Sequence, residues 1–168
     1  MKKLLLTISL LTTSTFVCAE DNKFKMAVIK GSAGASAIKT GNFEQGLQSI
    51  NKQSVTPSSP EQIAQQMNLC VAYASLYKMS EAQQACNQAI ELTKESQLTS
   101  GTERNIASLA LNNRAIMKAK SKDYDGALED LLAAIKVKKS RVITDNLIQL
   151  IQLQHEQSDT KSQQISKA

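Results

Sequence analysis

From Ser59 onward, apolar residues recur at spacings of three and four, the period of a helix with one buried face. Ser59-Pro60-Glu61-Gln62 predicts a helix start: Ser59 caps, Pro60 loses nothing at the first turn, and Gln62 is placed as a capping-box partner. Its apolar stripe is Ile63, Met67, Cys70, Val71, Ala74 and Tyr77. Ser80-Glu81-Ala82-Gln83 predicts a second capping box, before a stripe of Ala82, Ala85, Cys86, Ala89 and Ile90. The short link between the two helices makes them antiparallel. After a polar stretch, Lys94 to Thr102, the pattern predicts helices over about 102–119, 124–138 and 144–154, with a turn at Ser121-Lys122-Asp123. Strand signals are weak. Phe24 to Ile29 is the one serious strand candidate, and it could equally open a helix. From His155 to Ala168 apolar periodicity is lost, which predicts a frayed helix end and a polar tail.

The hairpins repeat. Ala82 and Ala127 each follow a short turn, with an apolar residue four positions on (Cys86, Leu131) and Ala seven positions on (Ala89, Ala134). Each has a small residue twelve positions upstream (Cys70, Ala115). Antiparallel helices need small side chains where their axes come closest, so the doubled arrangement is an internal repeat. A degenerate copy precedes both: Gly34 and Gly46 stand at the same two positions, and Thr40-Gly41-Asn42-Phe43 resembles Lys122-Asp123-Tyr124.

These residues resemble the tetratricopeptide repeat family, a helix-turn-helix unit of about 34 residues. The first hairpin reads Gln66-x-x-Leu69-Cys70-x-x-Tyr73, then Ala82-x-x-x-Cys86-x-x-Ala89. The second reads Leu111-x-x-Arg114-Ala115-x-x-Lys118, then Tyr124-x-x-Ala127-x-x-x-Leu131-x-x-Ala134. Arg114 and Lys118 depart from the Leu and Tyr usual there, and the Pro that usually ends each unit is absent. Ala82 and Ala127 are 45 residues apart, which places an insertion in Lys94 to Arg104. The resemblance implies an all-α fold, a short solenoid of helical hairpins. Its units are a degenerate repeat at about 24–53, repeats at about 60–93 and 102–139, and a capping helix at about 144–154. Repeat packing falls to Leu69, Tyr73, Ala82, Ala89, Ala115, Ala127, Leu131 and Ala134. It also implies a peptide groove on the first helices, beside the core stripe, at Met67, Val71, Ala74, Asn112 and Ile116. The alternative is that the N-terminal segment or a neighbouring unit covers Met67 and Val71. Apolar Val71 and Ile116 stand where a cationic clamp would need polar groups, which argues against capture of an acidic peptide C-terminus.

The ends change the picture. Lys2 and Lys3 precede an apolar run, Leu4 to Val17, and then Val17-Cys18-Ala19, the layout of a signal peptide cleaved after Ala19. A retained anchor, or a lipid on Cys18, is the alternative. Cleavage leaves 149 residues (168 less 19) and lowers the net charge from +5 to +3. That suits one core and is too mild for a nucleic-acid partner, which demands a clustered basic face. Lys136, Lys138, Lys139 and Arg141 cluster, but at a helix end, where cations suit the dipole. No apolar run is long enough for a stable membrane span in the mature chain. An exported chain meets an oxidising compartment. The resemblance puts Cys70 and Cys86 at the contact between two helices, so a Cys70–Cys86 disulfide is expected, worth roughly 3 kcal/mol in the chain-entropy model. The alternative is two buried free thiols.

No nucleophile–base arrangement stands out. Aromatic residues make up only 4% of the chain, with no Trp, too few for a base- or sugar-stacking platform. The single His155 lies in the polar C-terminal region. Asp123, Asp125, Glu129 and Asp130 gather near a helix N-terminus, where the dipole explains them better than a metal does. Gly31-Ser32-Ala33-Gly34 lacks the ending of a phosphate loop. No catalytic residue, cofactor or metal is expected. The expectation is a non-enzymatic periplasmic or secreted protein that holds a protein or peptide partner. The other reading is a structural or regulatory subunit docking through its last helix. The broad apolar arc of Leu147, Ile148, Leu150 and Ile151 would also suit a second copy, giving a homodimer.

Overall fold

Several helix starts along the chain are fixed by side chains that satisfy the first amides. In a computed structural model, which describes residues 24–57, 59–95 and 100–165, with side chains to residue 158, Ser59 Oγ accepts from the amide of Gln62 at 3.2 Å. Ser100 and Glu103 cap each other: Glu103 N donates to Ser100 Oγ at 3.1 Å, and Ser100 N donates to Glu103 Oε2 at 2.7 Å. Asp123 Oδ1 accepts from Gly126 N at 3.0 Å. The described residues form α1 (Ala35–Lys39), α2 (Phe43–Asn51), α3 (Pro60–Ser75), α4 (Met79–Glu95), α5 (Gly101–Lys120), α6 (Tyr124–Val137) and α7 (Arg141–Ile165). No strand ladder occurs among them, so the fold is all-α. Residues 1–23, and with them the signal-peptide reading and Cys18, lie outside the described residues.

One helix start and one helix end differ from the sequence reading. Ser80 does not cap α4; the helix begins at Met79, and the Lys78 carbonyl accepts from Ala82 N at 2.9 Å. The cause is the turn: Tyr77 adopts a left-handed conformation, φ 57°, which brings Lys78 to the helix entrance. The last helix is longer than its apolar stripe. It runs from Arg141 to Ile165, so most of the expected polar tail is helical. Neither Gly nor Pro stands after Arg141 to stop it, and Gln, Glu, Lys and Ser cost a helix little.

Three turns share one hydrogen-bond pattern. Asn42 N donates to Ala37 O, Lys78 N to Tyr73 O, and Asp123 N to Lys118 O, each at 2.9 Å. The residue before each donor is left-handed: Gly41 (φ 84°), Tyr77 (φ 57°) and Lys122 (φ 64°). The hairpins α1–α2, α3–α4 and α5–α6 are therefore in register at steps of 36 and then 45 residues. The extra residues of the longer step are partly absorbed by helix: α4 ends at Glu95 and α5 starts at Gly101, whereas their counterparts α6 and α3 are shorter at those ends.

Small residues sit where the helices of each pair cross. A Cβ at Gly34 would stand 2.5 Å from the Gly46 carbonyl, and one at Gly46 would stand 2.5 Å from Ile38 Cγ1. Ala82, Ala127 and Ala134 are fully buried, and Cys70, Cys86, Ala89, Ala115 and Leu131 are all but so. Leu69 and Tyr73 pack from the edge of that core. Helices α3, α5 and α7 lie side by side in one layer, and α4 and α6 form the layer behind them. No helix among the described residues is long and apolar enough to cross a membrane.

Candidate functional site

The front layer is where the chain departs from a plain hairpin stack. Residues 24–29 are extended and cross α7, α5 and α3 in turn, held by asparagines from all three helices. Lys25 N donates to Asn146 Oδ1 at 2.9 Å, and Asn146 Nδ2 donates back to Lys25 O at 2.9 Å. Ala27 N donates to Asn113 Oδ1 at 2.7 Å, and Asn113 Nδ2 to Ala27 O at 2.8 Å. Ile29 N donates to Asn68 Oδ1 at 2.9 Å, and Asn68 Nδ2 reaches Ile29 O at 3.5 Å and Ser32 Oγ at 2.7 Å.

The geometry follows from strand pleat. In an extended chain every second residue turns both its N–H and its C=O to the same side. A carboxamide carries one acceptor and two donors, so each asparagine stands in for the peptide group of a neighbouring strand. Asn112 Nδ2 also donates to Lys25 O at 3.1 Å, and its Oδ1 accepts from Asn146 Nδ2 at 2.7 Å. All four asparagines are at most 1% exposed. Among the described residues no buried side-chain polar atom lacks a partner. A satisfied buried amide rigidifies its site, whereas an unsatisfied one would cost about 1–3 kcal/mol.

Side chains on both faces of the segment complete the seat. Ala27 and Ile29 pack with Ile63, Met67 and Ala110. Met26 and Val28 pack with Val71, Ala72, Ile38 and Ile50. Phe24 rests on the cluster of Ala115, Ile143 and Leu150. The five groove candidates, Met67, Val71, Ala74, Asn112 and Ile116, are thus all buried rather than open, at most 5% exposed. Met67 and Val71 lie under residues 24–29, and Asn112 is a ligand of that segment. Sequence reasoning missed Asn68, Asn113 and Asn146. A usable signal was present: Asn68 and Asn113 fall on the buried faces of α3 and α5 at the same repeat position, 45 residues apart.

Two further constellations hold the hairpins behind the segment. Cys70 on α3 and Cys86 on α4 are bonded, S–S 2.07 Å, with Cα atoms 4.9 Å apart. At the matching level of α5–α6 stands an ionic group. Arg114 grips Asp130 with Nε donating to Oδ2 at 2.7 Å and Nη2 to Oδ1 at 2.6 Å. Lys118 Nζ lies 3.0 Å from Asp130 Oδ2, and Arg114 Nη1 donates to Asn87 Oδ1 on α4 at 3.0 Å. The hydrogen bond to Asp130 raises the Arg114 guanidinium pKa above its ordinary value, against burial, which lowers it. Asp130 is therefore a pairing group on the buried face of α6 and not part of a dipole-complementing cluster. Asp123 does sit at the helix start, as its cap.

His155 stands on the exposed side of α7. Among the described residues no three His, Cys, Asp or Glu side chains gather as a metal site would require. Comparison with family models, curated proteins and solved structures finds no match for this chain.

Proposed function

We propose that this is an exported, non-enzymatic protein–protein interaction module of tetratricopeptide-like design, whose front layer holds a chain in extended form. The asparagine ladder carries this reading. Three buried carboxamides aimed at alternate main-chain groups form a device for gripping a polypeptide whatever its side chains, and the occupant is the segment 24–29 of the same molecule. The paired cysteines fit the oxidising compartment that residues 1–19 imply.

Ala27→Pro tests this. Proline removes the N–H that meets Asn113 and unseats the segment. A labelled peptide of the sequence 24–29 then binds the variant saturably and leaves the natural protein, whose groove is filled, unlabelled. Absence of binding to a variant that keeps its helical circular dichroism would reject the reading.

A specific observation supports a second reading, docking through the last helix to a larger complex or a second copy. Ile148 and Ile151 on α7 are 51% and 41% exposed, and Leu132 on the adjacent α6 is 45% exposed. Ile148→Glu with Ile151→Glu abolishes association if that face is the interface, and leaves peptide binding by Ala27→Pro unchanged.

A further inference from the structure

The asparagines use only one edge of the extended segment. Residues 25, 27 and 29 turn their main-chain groups to the helices, so by the same alternation Met26 and Val28 turn theirs away. Among the described residues no hydrogen bond engages the main chain of Met26 or Val28. An unpaired strand edge is a template for another strand. Beside it lies a groove of about 650 Å³ with an apolar floor of Met26, Val28, Ile38, Phe43 and Val71. Its charged lining residues are Lys30, Lys39 and Lys120, and no carboxylate lines it. None of the three lysines forms an ion pair with a described carboxylate; Lys120 instead rests its ammonium 4.9 Å from the centre of the Tyr77 ring.

We infer that this groove is a strand-addition site for a partner's extended segment in which acidic and apolar side chains alternate. The inference rests on the reading of residues 24–29 as a docked strand and adds what that strand is for. The segment is a two-sided adaptor: one edge is fixed to the protein's own asparagines, and the other is offered to the partner. Met26 and Val28 exchange main-chain hydrogen bonds with the incoming strand. Its apolar side chains face the floor, and its carboxylates meet the three lysines. Main-chain pairing gives affinity, and the lysines select the acidic chain. A lipid acyl chain would fill the apolar floor but would leave the strand edge unpaired.

The test uses the full mature protein and a blocked hexapeptide alternating glutamate and valine, followed by amide NMR and hydrogen exchange. Before peptide is added, the amides of Lys25, Ala27 and Ile29 are protected and those of Met26 and Val28 are not. Peptide addition protects Met26 and Val28. The same peptide N-methylated on every second amide is made in both registers. One register turns its methyl groups outward and binds; the other turns them to Met26 and Val28 and fails. Lys30→Glu with Lys39→Glu, both at the surface, weakens binding by about tenfold, and a lysine–valine peptide does not bind. Equal binding of both N-methylated registers, or saturation by laurate in place of the peptide, overturns the inference. So does failure of the peptide while Lys25, Ala27 and Ile29 stay protected, a result that leaves the docked strand intact. Loss of protection at those three amides overturns the docked strand itself.

Discussion

The hairpins α3–α4 and α5–α6 solve one packing problem in two ways. Their turns share the same hydrogen bonds and the same left-handed residue, and Ala82 and Ala127 are both fully buried. At the level of the closest helix contact they diverge. The first hairpin has Leu69, Cys70 and Tyr73 facing Ala85 and Cys86, an apolar contact closed by a covalent bond. The second has Arg114, Ala115 and Lys118 facing Asp130 and Leu131, an apolar pair flanked by an ion triad. Each exchange falls at the same repeat position. Arg114 and Lys118, the two departures from the repeat pattern, are therefore a matched set with Asp130, which takes the place of Ala85. The lesson is that a repeat conserves geometry at the turn and the crossing point while the fastening is free to change its chemistry.

The fastenings respond to different agents, which separates the hairpins experimentally. Reduction has the largest expected effect. Opening the Cys70–Cys86 bond releases a loop spanning a sequence separation of 16 residues and costs about 3 kcal/mol in the chain-entropy model. Urea unfolding with and without a thiol reductant measures it. Cys70→Ala with Cys86→Leu, which copies Ala115 and Leu131 into the first hairpin, makes the protein indifferent to reductant and recovers part of the loss by filling the space with carbon. A protein of residues 20–168 that titrates two free thiols without reduction would put both hairpins on non-covalent packing alone.

Asp130→Asn comes next. It leaves two cations facing a neutral amide. Breaking a fully buried pair costs 3–5 kcal/mol; the Arg114 and Lys118 side chains are 22% and 25% exposed, and water relieves part of this, leaving about 2 kcal/mol. Because Asp130 raises the guanidinium pKa, Arg114 keeps its charge at every pH below that raised value. The cost of Asp130→Asn is therefore the same at pH 7 and pH 9, as paired unfolding curves will show. Arg114 also donates to Asn87 Oδ1 beside Cys86, so the two fastenings touch, and the reductant effect on the first hairpin shifts in the variant by about 0.5 kcal/mol or more.

The comparison also shows what a sequence discloses. The step of 45 residues, the small residues at the crossing and the all-helical class rest on periodicity, and periodicity is local. Arg114, Lys118 and Asp130 are each ordinary on a helix surface; only their meeting across two helices makes them a fastening, and that is a property of three dimensions. The asparagines fall between these cases. Asn68 and Asn113 repeat in register on faces that are otherwise buried, a local signal. What they bind is residues 24–29, 86 residues away in the case of Asn113, and no spacing rule links such positions. The extended form of 24–29 was legible as a candidate, whereas its partner was not, because it pairs with side chains instead of with a strand.

The smallest effects lie in the turns, where the hairpins agree in shape and differ in cost. Gly41, Tyr77 and Lys122 hold the same left-handed position, and only glycine does so without crowding its own Cβ. Lys122 is exposed at the turn and its side chain makes no described hydrogen bond or ion pair, so Lys122→Gly relieves the backbone at little loss and stabilises by about 1 kcal/mol. Tyr77→Gly gains the same relief but loses the ring beneath the Lys120 ammonium, worth about 0.5–1 kcal/mol at an exposed site, and comes out near neutral. Gly41→Ala runs the exchange backwards. Its Cβ meets nothing within 4 Å, so the loss of about 1 kcal/mol is backbone strain alone. Thermal melts of the three variants rank them Lys122→Gly, Tyr77→Gly, Gly41→Ala from most to least stable. A Tyr77→Gly protein as stable as Lys122→Gly would show that the Tyr77 ring contributes nothing to its hairpin, leaving the fastenings as the one energetic difference between the two units.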